Sequence, residues 1–139
     1  MMDIGVVGYS EAKFDENIAK ALMAIALDIV ETNHPSKEYT LVSGLTDLGI
    51  PAIAYEMADK RGWKTMGIAC EKAKDYECYD VDKELIVGKE WGDESATFLR
   101  KIDVLVRIGG GKQSMREVEV AKKSKAVKAV YEFDLPENK

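Results

Sequence analysis

The chain has 139 residues, 46% hydrophobic and 32% charged, with a formal net charge of -5 at pH 7. That length and composition suit one soluble globular domain over residues 1–139, large enough for a real core. The acidic balance excludes a nucleic-acid scaffold, which needs a basic stretch, and the apolar run at 19–30, broken by Lys20 and Asp28, is too short to span a bilayer, so no membrane partner is expected.

Residues 3–8, Asp-Ile-Gly-Val-Val-Gly, form a short apolar run ending in glycine and are expected to be the first strand. A helix is expected from Asp15, a good N-cap, with Ile18, Leu22, Ile25, Ala26 and Ile29 forming its inner face at helical spacing. Asn33-His34-Pro35 stops it, because proline disfavours the α conformation in the residue before it. Residues 39–43 read as the second strand and 51–61 as the second helix, with Pro51 tolerated in the first turn and Gly62 as the stop. A third strand is expected at 64–70, an irregular stretch at 71–82 and a short strand at 85–88. Residues 93–100 read as a helix turning Ala96 and Leu99 inward. A strand at 103–108 then feeds three glycines and a helix at 113–123 that buries Met115, Val118 and Ala121. Residues 126–133 are the expected last strand, and 135–139 a fraying tail. Strands alternating with helices predict an α/β fold, a mostly parallel sheet with helices on both faces. Ligands bind such sheets outside the carboxyl ends of the strands.

Three glycine-bearing turns fall at that edge. Gly109-Gly110-Gly111 precedes a helix opening with Ser114 and Glu117, whose spacing is that of a capping box worth about 1 kcal/mol. A capping box requires no glycine triplet, and glycine costs conformational entropy, so the triplet points to backbone amides approaching a ligand closely. Gly44-Leu-Thr-Asp-Leu-Gly49 reads either as a plain turn, with Thr46 or Asp47 bonding nearby amides, or as a seat for phosphate or ribose built by Gly44, Thr46 and Gly49. Gly8-Tyr9-Ser10 reads equally as a strand-to-helix turn and as a seat for a base or ribose. The ligand expected is a nucleotide or related phosphorylated molecule.

Other features point elsewhere. His34, the only histidine, precedes a proline at a helix end, which argues for a surface role and against catalytic triads and histidine metal sites. Trp63 and Trp91 are expected to pack under loops, and the lysines at 122, 123, 125 and 128 to form a solvated helix end. The dinucleotide fingerprint Gly-x-Gly-x-x-Gly and the Walker pattern are both missing. Cys70 and Cys78 fit neither a zinc spacing nor a disulfide framework, and Met1-Met2-Asp3-Ile4 lacks a basic region ahead of an apolar run, so a cytoplasmic location is expected.

At these turns the chain resembles the SLOG superfamily of Rossmann-like proteins, which includes the cytokinin-activating phosphoribohydrolases (the LOG family, long misnamed lysine decarboxylases) and the nucleotide-binding domain of DNA-processing protein A. The family element Pro-Gly-Gly-x-Gly-Thr-x-x-Glu is similar to residues 109–117: Gly110 and Gly111 match, Ser114 stands for threonine and Glu117 falls on the glutamate. Gly109 replaces the proline and Gln113 the next glycine. The family's earlier Gly-Gly-Gly-x-x-Gly turn is similar to residues 44–49, which keep the first and last glycines. The resemblance implies a single-domain Rossmann-like fold, nucleotide binding without cofactor or metal, and a homodimer packed through the helices carrying residues 19–30 and 52–58.

It also implies a possible reaction, cleavage of a nucleotide's N-glycosidic bond. Glu117 would steady the developing oxocarbenium ion or orient ribose and water, and the Gly110 and Gly111 amides with Ser114 would hold the 5′-phosphate. Family hydrolases carry an Arg-Lys pair about two turns ahead of the strand's aspartate. Here Arg100-Lys101 comes just before Asp103, and Glu94 sits nearer the expected place, so Arg100 and Arg116 are only candidate second catalytic groups. Binding is therefore better supported than hydrolysis, and an interaction protein with a vestigial pocket is the remaining alternative.

Overall fold

The computed structural model describes residues 1–11 and 13–138. Six strands, β1 (Met2–Gly8), β2 (Tyr39–Ser43), β3 (Lys64–Ala69), β4 (Lys83–Ile86), β5 (Val104–Ile108) and β6 (Ala129–Phe133), form one sheet in the order β4-β3-β2-β1-β5-β6. Every neighbouring pair is parallel. Side chains alternate across a strand, and a sheet covered on both sides must be apolar on both. Ile4 and Val6 of β1 join Leu41, Val104 and Val106 in one core beneath helices α1 (Glu16–Asn33) and α2 (Gly49–Lys60). Val7, Val42 and Leu105 face the other way, into a core closed by α3 (Ser95–Lys101) and α4 (Lys112–Lys123).

The chain runs outward from β1 to β4 and then returns to β5 on the opposite side of β1. Gly8 pairs with Ile108, so the turns after β1 and β5 emerge side by side at the carboxyl edge, at the reversal of strand order. Among the described residues no helix is long and apolar enough to cross a membrane.

Asp15 caps α1 as its sequence predicts, accepting from the amides of Asn17 and Ile18 at 2.9 and 3.1 Å. The buried face of that helix is rotated from the predicted one, keeping Ala26 at its centre and Leu22 half-buried at its margin. Ala19, Met23, Ala26, Leu27 and Val30 are buried, while Ile18 and Ile25 are 51% and 49% exposed. Two apolar stripes of the same period run along this helix, and the one carrying alanines lets it approach the sheet and α2 closely.

The phase of the other helices is corrected in the same way. Phe98, not Ala96, is buried in α3, and Ala96 is exposed with Leu99 only half-buried. Phe98 packs over Gly5, whose missing Cβ would lie 2.9 Å from the ring. In α4, Val118 and Ala121 are buried as predicted, but Met115 is 45% exposed and Ser114 and Glu117 turn inward instead. Residues 71–75 form a 3₁₀ turn, and the last strand starts three residues later than expected, at Ala129. The tail is tied down rather than frayed: Leu135 is buried and the Asn138 amide donates to the Lys13 carbonyl. Lys139, the end of that predicted tail, lies outside the described residues. Trp63 stacks on Tyr39 in the core, whereas Trp91 does not pack under a loop and is 48% exposed.

Candidate functional site

A cleft of about 390 Å³ opens at the carboxyl edge of the sheet, between the turns that follow β1, β2 and β5. Its size is in the range of small-molecule sites. Gly8, Tyr9, Ser10, Gly44, Thr46, Gly111, Ser114 and Glu117 line it together. Gly49, Gly109 and Gly110 are not among the lining residues, nor are Arg100 and Arg116, both of which are exposed elsewhere.

The glycine triplet divides its work. Gly109 extends the sheet: its amide donates to the Phe133 carbonyl at 2.8 Å, so it is not available to a ligand. Its φ of 62° places the chain against the Tyr9 ring. Arg107, buried on β5, donates to the Gly109 carbonyl at 2.9 Å and pairs with Glu132 and Asp134 at 3.0 and 2.8 Å, which fixes the turn from below. Gly110 passes over Ser114 and Gly8. Gly111 alone borders open space, since a Cβ there would meet nothing within 4 Å.

The predicted capping box does not form. Gly111 is the N-cap of α4, with no side-chain cap, and Ser114 is already the third helical residue. The sequence spacing still has a consequence, because residues three apart share a helix face. Ser114 and Glu117 both point into the cleft wall instead of at each other's backbone. Among the described residues, the amides of Gly111, Lys112, Gln113 and Ser114 have no protein acceptor. Unpaired amides of a first helical turn carry the positive end of the helix dipole and are suited to an anion.

The turn after β2 is built differently. Asp47 donates its amide to Glu77, and Tyr79 donates to the Leu45 carbonyl, so the chain between β3 and β4 closes over this turn. Among the described residues, neither Thr46 nor Asp47 caps a nearby amide through its side chain; Thr46 instead bridges to Cys78. The start of α2 is already occupied, with the Ile50 amide donating to the Tyr9 carbonyl at 2.8 Å. Gly44 faces open space, and its carbonyl is held 2.6 Å from the buried Tyr55 hydroxyl.

Beside the free amides lies a buried acidic pair that local reading could not assemble. Glu117 accepts from Ser95 Oγ at 2.8 Å, and Glu94 accepts from Gln113 Nε2 at 3.1 Å and from the Gly92 amide at 3.2 Å. Both carboxylates are about 7% exposed. Burial pushes the Glu117 carboxyl above the usual glutamate range, opposed by the Ser95 hydrogen bond and reinforced by the charge of Glu94. A carboxyl raised on folding makes the native state bind more protons than the unfolded chain between the ordinary and the raised value. Stability from this group is therefore lost as pH rises through that window. Glu117→Gln is expected to be more stable than wild type at pH above the raised value, with the gain vanishing below the ordinary glutamate range. Urea unfolding at about pH 4 and about pH 8 checks this, and equal differences at both pH values would refute it.

No protein-family model and no curated protein sequence matches the chain. Solved structures do. The molybdenum cofactor (Moco) carrier protein from Chlamydomonas reinhardtii superposes with a TM-score of 0.70 at 26% identity, over 95% of this chain and 75% of that one. The molybdenum cofactor binding protein from the phototrophic bacterium Rippkaea orientalis gives 0.70 at 22% identity, over 96% and 77%. The fold is the SLOG type. Within the SLOG fold the cleft described here occupies the carboxyl edge of the sheet, and α4 carries its free amides.

Proposed function

We propose that this protein binds a phosphorylated organic ligand, a nucleotide or a related cofactor, in the cleft above β1 and β5, and that it does so in the cytoplasm. One observation carries the reading: among the described residues, four successive amides, Gly111 to Ser114, stand without protein acceptors beside open space at Gly44 and Gly111. A phosphate fits that first turn of α4, with Ser114 Oγ as a further donor. Glu117, one turn further along the same face, is placed to accept from sugar hydroxyls. The likeness to a molybdenum cofactor carrier supports a small cofactor as cargo, and the lining of amides, hydroxyls and carboxylates suits an oxygen-rich anion.

A second reading, N-glycosidic hydrolysis, is favoured by the burial of Glu117 and the upward shift of its carboxyl, since glycosidases use carboxyls so placed. In that reaction water replaces the base on the ribose and leaves ribose 5-phosphate. Retention of the ligand is the better reading, because Arg100 and Arg116 stand outside the cleft and Lys112 is the one cation among its described lining residues. Incubation with AMP, CMP, GMP and UMP separates the readings. Thermal stabilisation without free base is the expected result. Base release abolished by Glu117→Ala would replace it with hydrolysis, and neither effect would leave an interaction protein with a vestigial pocket.

A homodimer is part of the same proposal. Ile18 and Ile25 on α1 are exposed large apolar side chains two turns apart, flanked by the half-buried Leu22 and Ile29, and offer a surface for a second copy. Light scattering is expected to give the mass of two chains, and Ile25→Glu the mass of one.

A further inference from the structure

Trp91 is one of two tryptophans in the chain, and the two live in opposite settings. Trp63 is 7% exposed, stacked on Tyr39 where β2 and β3 begin. Trp91 is 48% exposed at the other edge of the sheet and lines the cleft. The loop that carries it is held on both sides. Asp93 accepts from the amides of Lys89 and Glu90 at 3.0 Å each, Glu94 accepts from the Gly92 amide, and Glu90 is paired with Lys72. Tyr76 meets the indole edge-on, with ring centroids 5.9 Å apart. A large apolar ring is thus fixed in place with half its surface uncovered, in the same cleft as the free amides of α4. Three residues further on, the buried Glu94 carboxylate offers acceptor capacity to the same cavity.

We propose that Trp91 is a specificity-determining residue that stacks on a flat heteroaromatic ring of the ligand, so that the site takes phosphorylated heterocycles in preference to plain sugar phosphates. The inference rests on the reading of the cleft as a phosphate site and sharpens it. Stacking between an aromatic side chain and a base adds affinity without fixing which base is bound. Rigid presentation of the ring avoids an ordering cost on binding.

The test uses the whole protein with AMP, GMP and ribose 5-phosphate. AMP and GMP are expected to quench tryptophan fluorescence and to bind about tenfold more tightly than ribose 5-phosphate. Trp91→Ala is expected to erase that difference while leaving ribose 5-phosphate binding unchanged. Trp91→Phe is expected to keep most of the difference and to remove the quenching, since Trp63 lies at the far edge. Nucleotide affinity unchanged in Trp91→Ala, or ribose 5-phosphate bound as tightly as AMP, would overturn the stacking role and leave the phosphate site standing. Failure of all three ligands to bind would overturn both. Melting temperatures of the variants within about 2 °C of wild type establish that the comparison is made on folded protein.

Discussion

Gly49→Ala is expected to destabilise the protein by about 2–4 kcal/mol, the sum of a left-handed backbone penalty and a steric displacement. Gly49 has φ 61°, and a Cβ there would sit 2.2 Å from the Tyr9 carbonyl oxygen and 2.7 Å from that of Ser10. Those oxygens belong to backbone, and the Tyr9 carbonyl already accepts from the Ile50 amide, so neither can swing away as a side chain would. Gly62 is the natural control. Its φ is 75°, but a Cβ there meets nothing within 4 Å, so Gly62→Ala carries only the backbone penalty of about 1–2 kcal/mol. Urea unfolding of the two variants separates contact from conformation, and equal losses would show that the turns after β1 and β2 are not packed tightly. Because this contact joins the Tyr9 turn to the start of α2, Gly49 supports the cleft without lining it.

The second large effect is expected on binding, not stability. Gly44→Val adds two methyl groups and a Cβ into open space at the cleft wall, where the backbone has no positive φ to forbid a branched residue. Loss of AMP or GMP affinity by at least about tenfold is expected, equivalent to about 1.4 kcal/mol or more of binding energy. Stability should stay within about 0.5 kcal/mol of wild type, the usual range for a substitution that disturbs no buried contact. Calorimetric titration beside a melting curve measures both quantities. A Gly44→Val protein that binds as wild type does would place the ligand away from β2.

Strand positions were legible because they depend on short runs: Leu41-Val42 and Val104 to Val106 carry apolar residues on both faces, as a doubly covered parallel strand must. The Asp15 cap was legible for the same reason, since its hydrogen bonds reach only two and three residues ahead. The inner face of α1 was not. Ile18, Leu22, Ile25 and Ile29 form as good a stripe as Ala19, Met23, Ala26 and Val30, and only the sheet chooses between them. Ser114 and Glu117 show the intermediate case. Their spacing announced a shared helix face, but whether that face closes a cap or a cleft depends on the residue at which α4 begins. Gly111 takes the cap position, above a turn fixed by Arg107 from β5.

Taken alone, the sequence determined the alternation of strands and helices, the parallel sheet and the edge at which the cleft opens. Each of these follows from patterns spanning a few residues. Tertiary structure decided which glycine faces the cleft, and it joined Glu94 to Gln113 and Ser95 to Glu117, pairs separated by 19 and 22 positions. Such contacts leave no local signature, because they arise only when two helices on the same face of the sheet are brought together by burying Phe98, Val118 and Ala121.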